Sequence, residues 1–472
     1  MKFLSKIFTI NTIILATMLQ GCSSEKGSTY SSTTNEVNNK VYWKNKIEIN
    51  LPDIYQGGQI QNVDPIDLNN DGLQDIIIHT SLGPHYISSD LSAPVKDALV
   101  VYIQEPNGNY RYSNEEVFGK EIISFGAGSL KKVFADFNND SFMDVAYALH
   151  REDGRPGPVI NGNLVWGSTQ QVVMSNGNGT YRIDVLPGLA LYQTSVTTVK
   201  DSDGATNLIY GGGYPTRTVS YRYHDNKWQI IENYPILSGW DMLGIQNYLI
   251  DYDHEGRYST PPQNGITLYK KSDDNWIKHD YLNLGVFETS VNQGTDNAFR
   301  YHGQLVINFN VVASCALNLN DSTTLSIARL ESSTVPENYL GYLGPYEDLP
   351  LNMWYTAIQV NENGLKELDV LKDKFTKKHG VYFNCNDINA DGYDDLVIHT
   401  KDAPVETFSV FLNNMGKELI LTNLEGLSEI GSLAPNAFYQ DMNNDGLGDV
   451  VIQNLANLKI YIGIEPQLIM EK

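Results

Sequence analysis

The nine residues DLNNDGLQD at 67–75 return as DFNNDSFMD at 136–144, DINADGYDD at 387–395 and DMNNDGLGD at 441–449. Each copy runs straight into a β-branched or apolar stretch: IIIH, VAYA, LVIH and VVIQ. Oxygen donors at the first, third, fifth and ninth positions, with the backbone carbonyl of the seventh, can surround one hard cation. Aiming alternate residues inward needs a tight curl, which favours glycine at the sixth position. Three carboxylates and one amide per loop suit Ca²⁺, whereas Mg²⁺ demands a stricter octahedron and keeps its waters. The expected ligands are Asp67, Asn69, Asp71, Leu73 and Asp75 in the first loop and Asp136, Asn138, Asp140, Phe142 and Asp144 in the second. In the other two they are Asp387, Asn389, Asp391, Tyr393 and Asp395, and Asp441, Asn443, Asp445, Leu447 and Asp449, giving about four structural calcium sites.

An EF-hand loop begins in the same way, but it needs a bidentate acid at the twelfth position and a helix after it. Here the twelfth positions are Ile78, Tyr147, Ile398 and Ile452, and the segments after the loops have strand character, so the EF-hand fails. A plain Asx-rich turn would account for one copy but not for four that share the ninth-position Asp.

Worn copies fill the gaps. VKDSDGATN at 199–207 offers Val199 and Asn207 at the outer ligand positions, and DYDHEGRYS at 251–259 keeps Asp251 and Asp253 with Glu255 as a poorer substitute. LNLNDSTTL at 317–325 retains only Asp321. Weak or no metal binding is expected at the first two and none at the third. The starts at 67, 136, 199, 251, 317, 387 and 441 have a mean spacing of roughly 62 residues, enough for a four-stranded propeller blade and too long for a solenoid repeat. After each loop and strand comes an outer hairpin, as in VVYIQEPNGNYRY, QVVMSNGNGTYRI and SYRYHDNKWQII, with Asn-Gly or Asp-Asn at the turn. KIEINLP at 46–52 matches the outermost strand YRIDVLP at 181–187 but lacks a partner before it, so it should pair near Leu458–Ile462. The expected fold is all-β: a seven-bladed β-propeller of four-stranded antiparallel blades, its ring closed by the N-terminal strand, which leaves no free edge.

These loops before strands, with endings such as SNGNGTY, resemble the FG-GAP/VCBS repeat family, whose best-known member is the propeller of integrin α-subunits. The resemblance covers most of 41–472 and implies that the intact loops hold Ca²⁺ as clamps within a blade. The loops at 199, 251 and 317 depart from the pattern.

The N-terminus sets the address. A basic start (Lys2, Lys6), a short apolar run from Ile7 to Leu19 and the ending Leu19-Gln20-Gly21-Cys22 resemble a bacterial lipoprotein signal, 1–21, with lipidation at Cys22. Residues 22–40 read as lipidated cysteine and flexible tether, and 41–472 as the propeller. Ser23 resembles the sorting position of outer-membrane lipoproteins, so a cell-envelope location with the membrane reached through the lipid alone is expected. A net charge of −23 argues against nucleic acid and suits a protein that collects cations. Cys315 and Cys385 each lie two residues before a loop on neighbouring inner strands, where a bridge and two buried thiols are both open readings.

Beyond the loops, His79 and His399 recur at equivalent places, which favours a structural role. An insertion between Ala148 and Asn163 carries His150, Arg151, Glu152, Asp153 and Arg155, and tyrosines cluster at 210–224 and 339–350. No GxSxG, P-loop or HExxH is present, and no catalytic residue is assigned. The leading expectation is a binding or adhesion module for a glycan or for an envelope or extracellular protein. The alternatives are a polysaccharide lyase or other glycan-active enzyme, which would need His150, Arg155 and Tyr214 to converge, and a structural part of an envelope assembly, which would show a large apolar patch.

Overall fold

Strand character in this chain fades from the inside of each repeat outward. In the computed structural model the strands after three of the intact loops, Asp75–Ser81, Asp144–Leu149 and Asp449–Gln453, are buried along their whole length. The continuous apolar runs after the loops are thus strands covered on both faces. Burial alternates along Asn457–Ile462, the third strand of its sheet, and falls further in the outermost strands Tyr181–Val185 and Lys227–Ile231. The structure describes residues 39–40, 45–55, 58–81, 97–125, 129–149, 159–160, 163–164, 169–188, 193–201, 203–211, 218–231, 241–245, 247–253, 264–272, 275–291, 296–301, 304–320, 323–334, 351–368, 380–386, 393–402, 405–413, 419–425, 436–445, 448–453 and 457–463.

The molecule is all-β, with several four-stranded antiparallel sheets, an arrangement consistent with a β-propeller. The first sheet orders Gln59–Ile66, Asp75–Ser81, Asp97–Gln104 and Tyr110–Tyr112. The second orders Ser129–Ala135, Asp144–Leu149, Gln171–Ser175 and Tyr181–Val185, and the third Ser195–Lys200, Thr206–Gly211, Val219–His224 and Lys227–Ile231. The last sheet holds Asn436–Gln440, Asp449–Gln453 and Asn457–Ile462, with Asn45–Asn50 from the other end of the chain as its outer strand, Ile49 opposite Leu458.

Apolar side chains bind these sheets face to face in succession. Ile76, Ile78 and Val100 of the first sheet pack with Val451, Leu458 and Ile460 of the last, while its Ile77, Leu99 and Val101 pack with Val145, Tyr147 and Val173 of the second. Ala146 and Val172 meet Leu208 and Tyr210 of the third, whose Val199 and Ile209 meet Met242 and Leu249. Polar groups add to this near the innermost strands. Lys132 pairs with Asp64, which also accepts from the Tyr147 hydroxyl at 2.5 Å. Asp241 takes Lys131, Ser195 and Ser314 from three other strands.

Three features depart from a plain series of four-stranded units. Strands from Asp241–Ile245 to Gly364–Leu368 form one nine-stranded sheet, in which Asp296–Tyr301 joins the long strands Asn275–Val291 and Gln304–Asn320. The sheet of Gly380–Asn386, Asp395–Asp402, Val405–Asn413 and Leu419–Glu425 gains Asn39–Lys40 as a parallel partner, so the last two residues of the expected tether are paired. The first sheet gains Ile122–Phe125 beside Asp97–Leu99, reached through a short helix, Asn114–Phe118. The Asn114 side chain fills the gap between that strand and Tyr110–Tyr112, accepting from Val101 N–H (2.6 Å) and donating to Leu99 O (2.8 Å). Among the described residues no helix is long and apolar enough to cross a membrane.

Candidate metal loops

The inner strand of the first sheet ends at Ile66 and the next begins at Asp75, so the amides between them have no ladder partners and turn to the loop's own side chains. Asp67 accepts from Asp71 N–H (3.1 Å) and Gly72 N–H (2.9 Å), Asn69 from Asp71 N–H (3.0 Å), and Asp71 from Leu73 N–H (2.9 Å). The loop at 136 repeats this bond for bond: Asp136 accepts from Asp140 and Ser141, Asn138 from Asp140, and Asp140 from Phe142. The curl depends on left-handed backbone at the fourth and sixth positions, Asn70 (φ 57°) and Gly72 (86°), then Asn139 (58°) and Ser141 (71°).

The ninth-position carboxylate works differently from its neighbours. Asp75, fully buried, accepts from Leu68 N–H (2.9 Å) and from Gln104 N–H (2.8 Å) on the third strand. Asp144 accepts from Phe137 (2.8 Å) and Ser175 (2.7 Å), and Asp449 from Met442 (2.9 Å) and Gly463 (2.7 Å). Burial pushes all three up to about 7 against the pull of these amides. One side chain thereby ties the loop to two strands, a role indistinguishable in the sequence from that of a ligand.

The donor set fits a hard cation in kind: oxygens only, with first- and third-position oxygens already meeting at one amide. No lysine or arginine pairs with Asp67, Asp71, Asp136 or Asp140 among the described residues. Among those residues, no three carboxylates, imidazoles or thiolates are grouped so as to hold a metal ion, and the loop oxygens serve loop amides. The loop at 441 has the same plan, with Asp441 accepting from Asn443 and Asp445 (both 3.2 Å); Leu447 lies outside the described residues. Of the loop at 387, Asp387, Asn389 and Asp391 lie outside them. Tyr393 is half-buried, and Asp395 is fully buried and accepts from Asn413 N–H (2.7 Å).

The worn loops are built otherwise. At 199 the ladder continues through Val199 opposite Asn207 and Lys200 opposite Thr206, and the turn closes by Asp201 N–H to Ala205 O (2.8 Å). Arg222 forks over this turn, Nε to Asn207 Oδ1 (2.8 Å), one Nη to Asp203 (3.0 Å) and the other to Asp201, which also pairs with Lys271. Asp251, buried, and Asp253 lie in the strand Tyr248–Asp253 instead of opening a loop; Glu255 lies outside the described residues. In the third worn copy Leu317 and Leu325 are ladder partners.

Cys315 and Cys385 are joined in a disulfide, Cα atoms 5.8 Å apart. His79 is fully buried, Nε2 3.2 Å from Asp97 and edge-on to Phe125. Cys22, His150, Arg151, Glu152, Asp153, Arg155 and Tyr214 lie outside the described residues, so the convergence an enzyme would need falls outside them too.

Several residues in this region carry roles the sequence reading missed. Asn70 Nδ2 donates to Ser141 O (3.0 Å) and Asn444 Nδ2 to Gly72 O (2.6 Å), each reaching the next loop. Their signal was repetition of Asn at the fourth position. Arg222 and Lys271 carried no such signal.

No protein-family model matches the chain, and no curated protein matches it. Among solved structures it is similar to a chain of the S. cerevisiae assembly of Dbp5 with Nup159, Gle1, IP6 and ADP, at 9% identity over 91% of this chain and 96% of that one, with TM-score 0.42. It is also similar to the Bombyx mori GH32 β-fructofuranosidase BmSUC1, at 12% identity over 87% and 91% with TM-score 0.30. A GH43 β-1,3-galactosidase covers 93% of this chain and 96% of its own at 10% identity, with TM-score 0.29.

Proposed function

We propose that this protein is a calcium-braced, seven-bladed propeller of the FG-GAP/VCBS type, lipid-anchored at Cys22 in a bacterial cell envelope, that serves as a binding module for an extracellular glycan or protein. The observation that carries the reading is the meeting of the chain's two ends at their loops: Asn444 of the loop at 441 donates to Gly72 of the loop at 67. The pairing of Asn45–Asn50 with Asn457–Ile462 and the Gln453 Nε2 bond to Ile60 O (2.6 Å) support ring closure at that seam. The Cys315–Cys385 bridge links the fifth repeat to the sixth, and the inner strand of the sixth lies against that of the seventh. With the face-to-face packing of the other sheets, these contacts support seven blades in sequence order.

Calcium enters as the charge the loops lack. Ions in four loops would cut the net charge of −23 by about eight units and relieve self-repulsion on one rim.

Two measurements on the full chain test the reading. Calcium titration by calorimetry should show several ions per chain, and a glycan array probed with calcium and again with chelator should show calcium-dependent binding to one sugar class. Absence of calcium uptake would overturn the metal assignment. Silence of the array would turn the search to envelope proteins as the ligand.

A further inference from the structure

The loops at 441, 67 and 136 touch one another in that order, and the contacts repeat by position. Asn70 and Asn444 sit fourth in their loops, between the third- and fifth-position donors, with left-handed backbone (φ 57° and 58°) that carries each side chain out of its own loop. Each donates to the carbonyl of the sixth residue of the next loop, Asn444 to Gly72 and Asn70 to Ser141. That carbonyl belongs to the peptide entering the seventh residue, whose own carbonyl is the candidate backbone ligand.

A tyrosine from the outer hairpin marks the junction of the loops at 67 and 136 as well. The Tyr181 hydroxyl is shared between Leu68 O (3.2 Å), second in the loop at 67, and Met143 O (3.3 Å), eighth in the loop at 136. The same hairpin tip lies on both loops: a Cβ on Gly177 would stand 3.4 Å from the Asp140 Cβ, and one on Gly179 3.7 Å from that of Asn69. In the first repeat Tyr110 takes the matching place, its hydroxyl 3.3 Å from Gln74 O, eighth in the loop at 67.

We propose that these three loops take up divalent cations as a coupled set, with the fourth-position asparagine and the shared tyrosine as the coupling groups. The proposal rests on the calcium reading above. An ion held by the third and fifth residues fixes the fourth between them. The fixed asparagine then holds the next loop's sixth carbonyl in place, and the next ion has less chain to order. The loop at 387 has Ala390 in the fourth position, which has no side-chain donor, so its own filling passes nothing onward.

Calorimetric calcium titration of the full chain tests this with N70G, N444G and Y181F. Glycine accepts the left-handed φ, so the first two substitutions remove the strut without backbone strain. The wild type should fill with positive cooperativity, and N70G should flatten the isotherm and weaken the coupled ions about fivefold. Y181F should do the same to a smaller degree, and N363G, in a turn outside the three loops, should match the wild type. If circular dichroism in chelator shows N70G or N444G misfolded, Y181F carries the test, since it removes one hydroxyl. No uptake by the wild type would remove the calcium reading and this inference together. Uptake with independent sites, or N70G and Y181F isotherms that superpose on the wild type, would overturn the coupling alone.

Discussion

The loop at 136–144 and the loop at 199–207 have the same length, and each carries two carboxylates in its first five residues, yet those carboxylates are used in opposite ways. In the first, Asp136 and Asp140 are given over to amides that the ladder abandons between Ala135 and Asp144. In the second, a β-branched Val199 stands where Asp136 does, and the ladder runs on to Lys200. With the amides satisfied by backbone, Asp201 is released to Arg222 and Lys271, although Asp203 still accepts from Ala205 N–H (3.0 Å). The difference shows two ways to settle negative charge in the loop between the first two strands of a sheet. One gives the oxygens to backbone amides, the arrangement to which the calcium proposal applies; the other builds the cation into the chain.

The comparison breaks or sharpens first on metal removal, the largest effect expected. Each loop that binds only in the folded state contributes about 2.7 kcal/mol when calcium stands at a hundred times its Kd, so chelator should lower the melting temperature strongly. A melt indifferent to chelator would place the loops at 67, 136 and 441 in the same class as the one at 199. Next comes the ninth position. Asp144→Asn should cost about 3 kcal/mol even in chelator, because an amide NH₂ would face one of the two buried N–H groups of Phe137 and Ser175. Asn207→Ala, at the same position of the worn loop, should cost about 1 kcal/mol, since Asn207 is buried but its partners Arg222 and Asp201 are partly exposed and still pair with each other. Denaturant titrations give both numbers, and equal costs would deny the two loops different designs. Arg222→Met is next, at about 1–2 kcal/mol, because Lys271 still neutralises Asp201 in part. That loss should be the same with calcium and with chelator; a loss seen only with calcium would make Arg222 part of a metal site.

Much of this was legible in the chain because it repeats. The recurrence of one loop at roughly 62 residues marks the units, and the likeness of KIEINLP to YRIDVLP places Asn45–Asn50 beside Asn457–Ile462. What repetition could not carry was pairing across distance. Arg222 meets Asp201 through the register of the third sheet, Arg222 standing opposite Asn207, and Lys271 arrives from the neighbouring sheet; neither residue recurs in other repeats. The nine-stranded sheet was hidden for a related reason, since its joining strand, Asp296–Tyr301, has no counterpart in the other units. The ninth-position Asp was found but under-read, because a buried carboxylate that caps two strands and one that holds an ion are the same letter.

The smallest effect separates the two intact loops from each other. The sixth position is left-handed in both, but Gly72 occupies it in one (φ 86°) and Ser141 in the other (φ 71°). A Cβ on Gly72 meets open space, its nearest neighbour Asn444 Nδ2 at 4.0 Å, so Gly72→Ala is opposed by backbone strain alone and should cost about 1 kcal/mol. Ser141 bears that strain already. Its backbone carbonyl, not its hydroxyl, receives Asn70, so Ser141→Gly keeps the contact and should stabilise by about 0.5 kcal/mol, part of the relief being returned as entropy of the freer unfolded chain. Paired melts in chelator read both signs. A destabilised S141G would mean that the hydroxyl, not the backbone turn, is what the second loop keeps serine for.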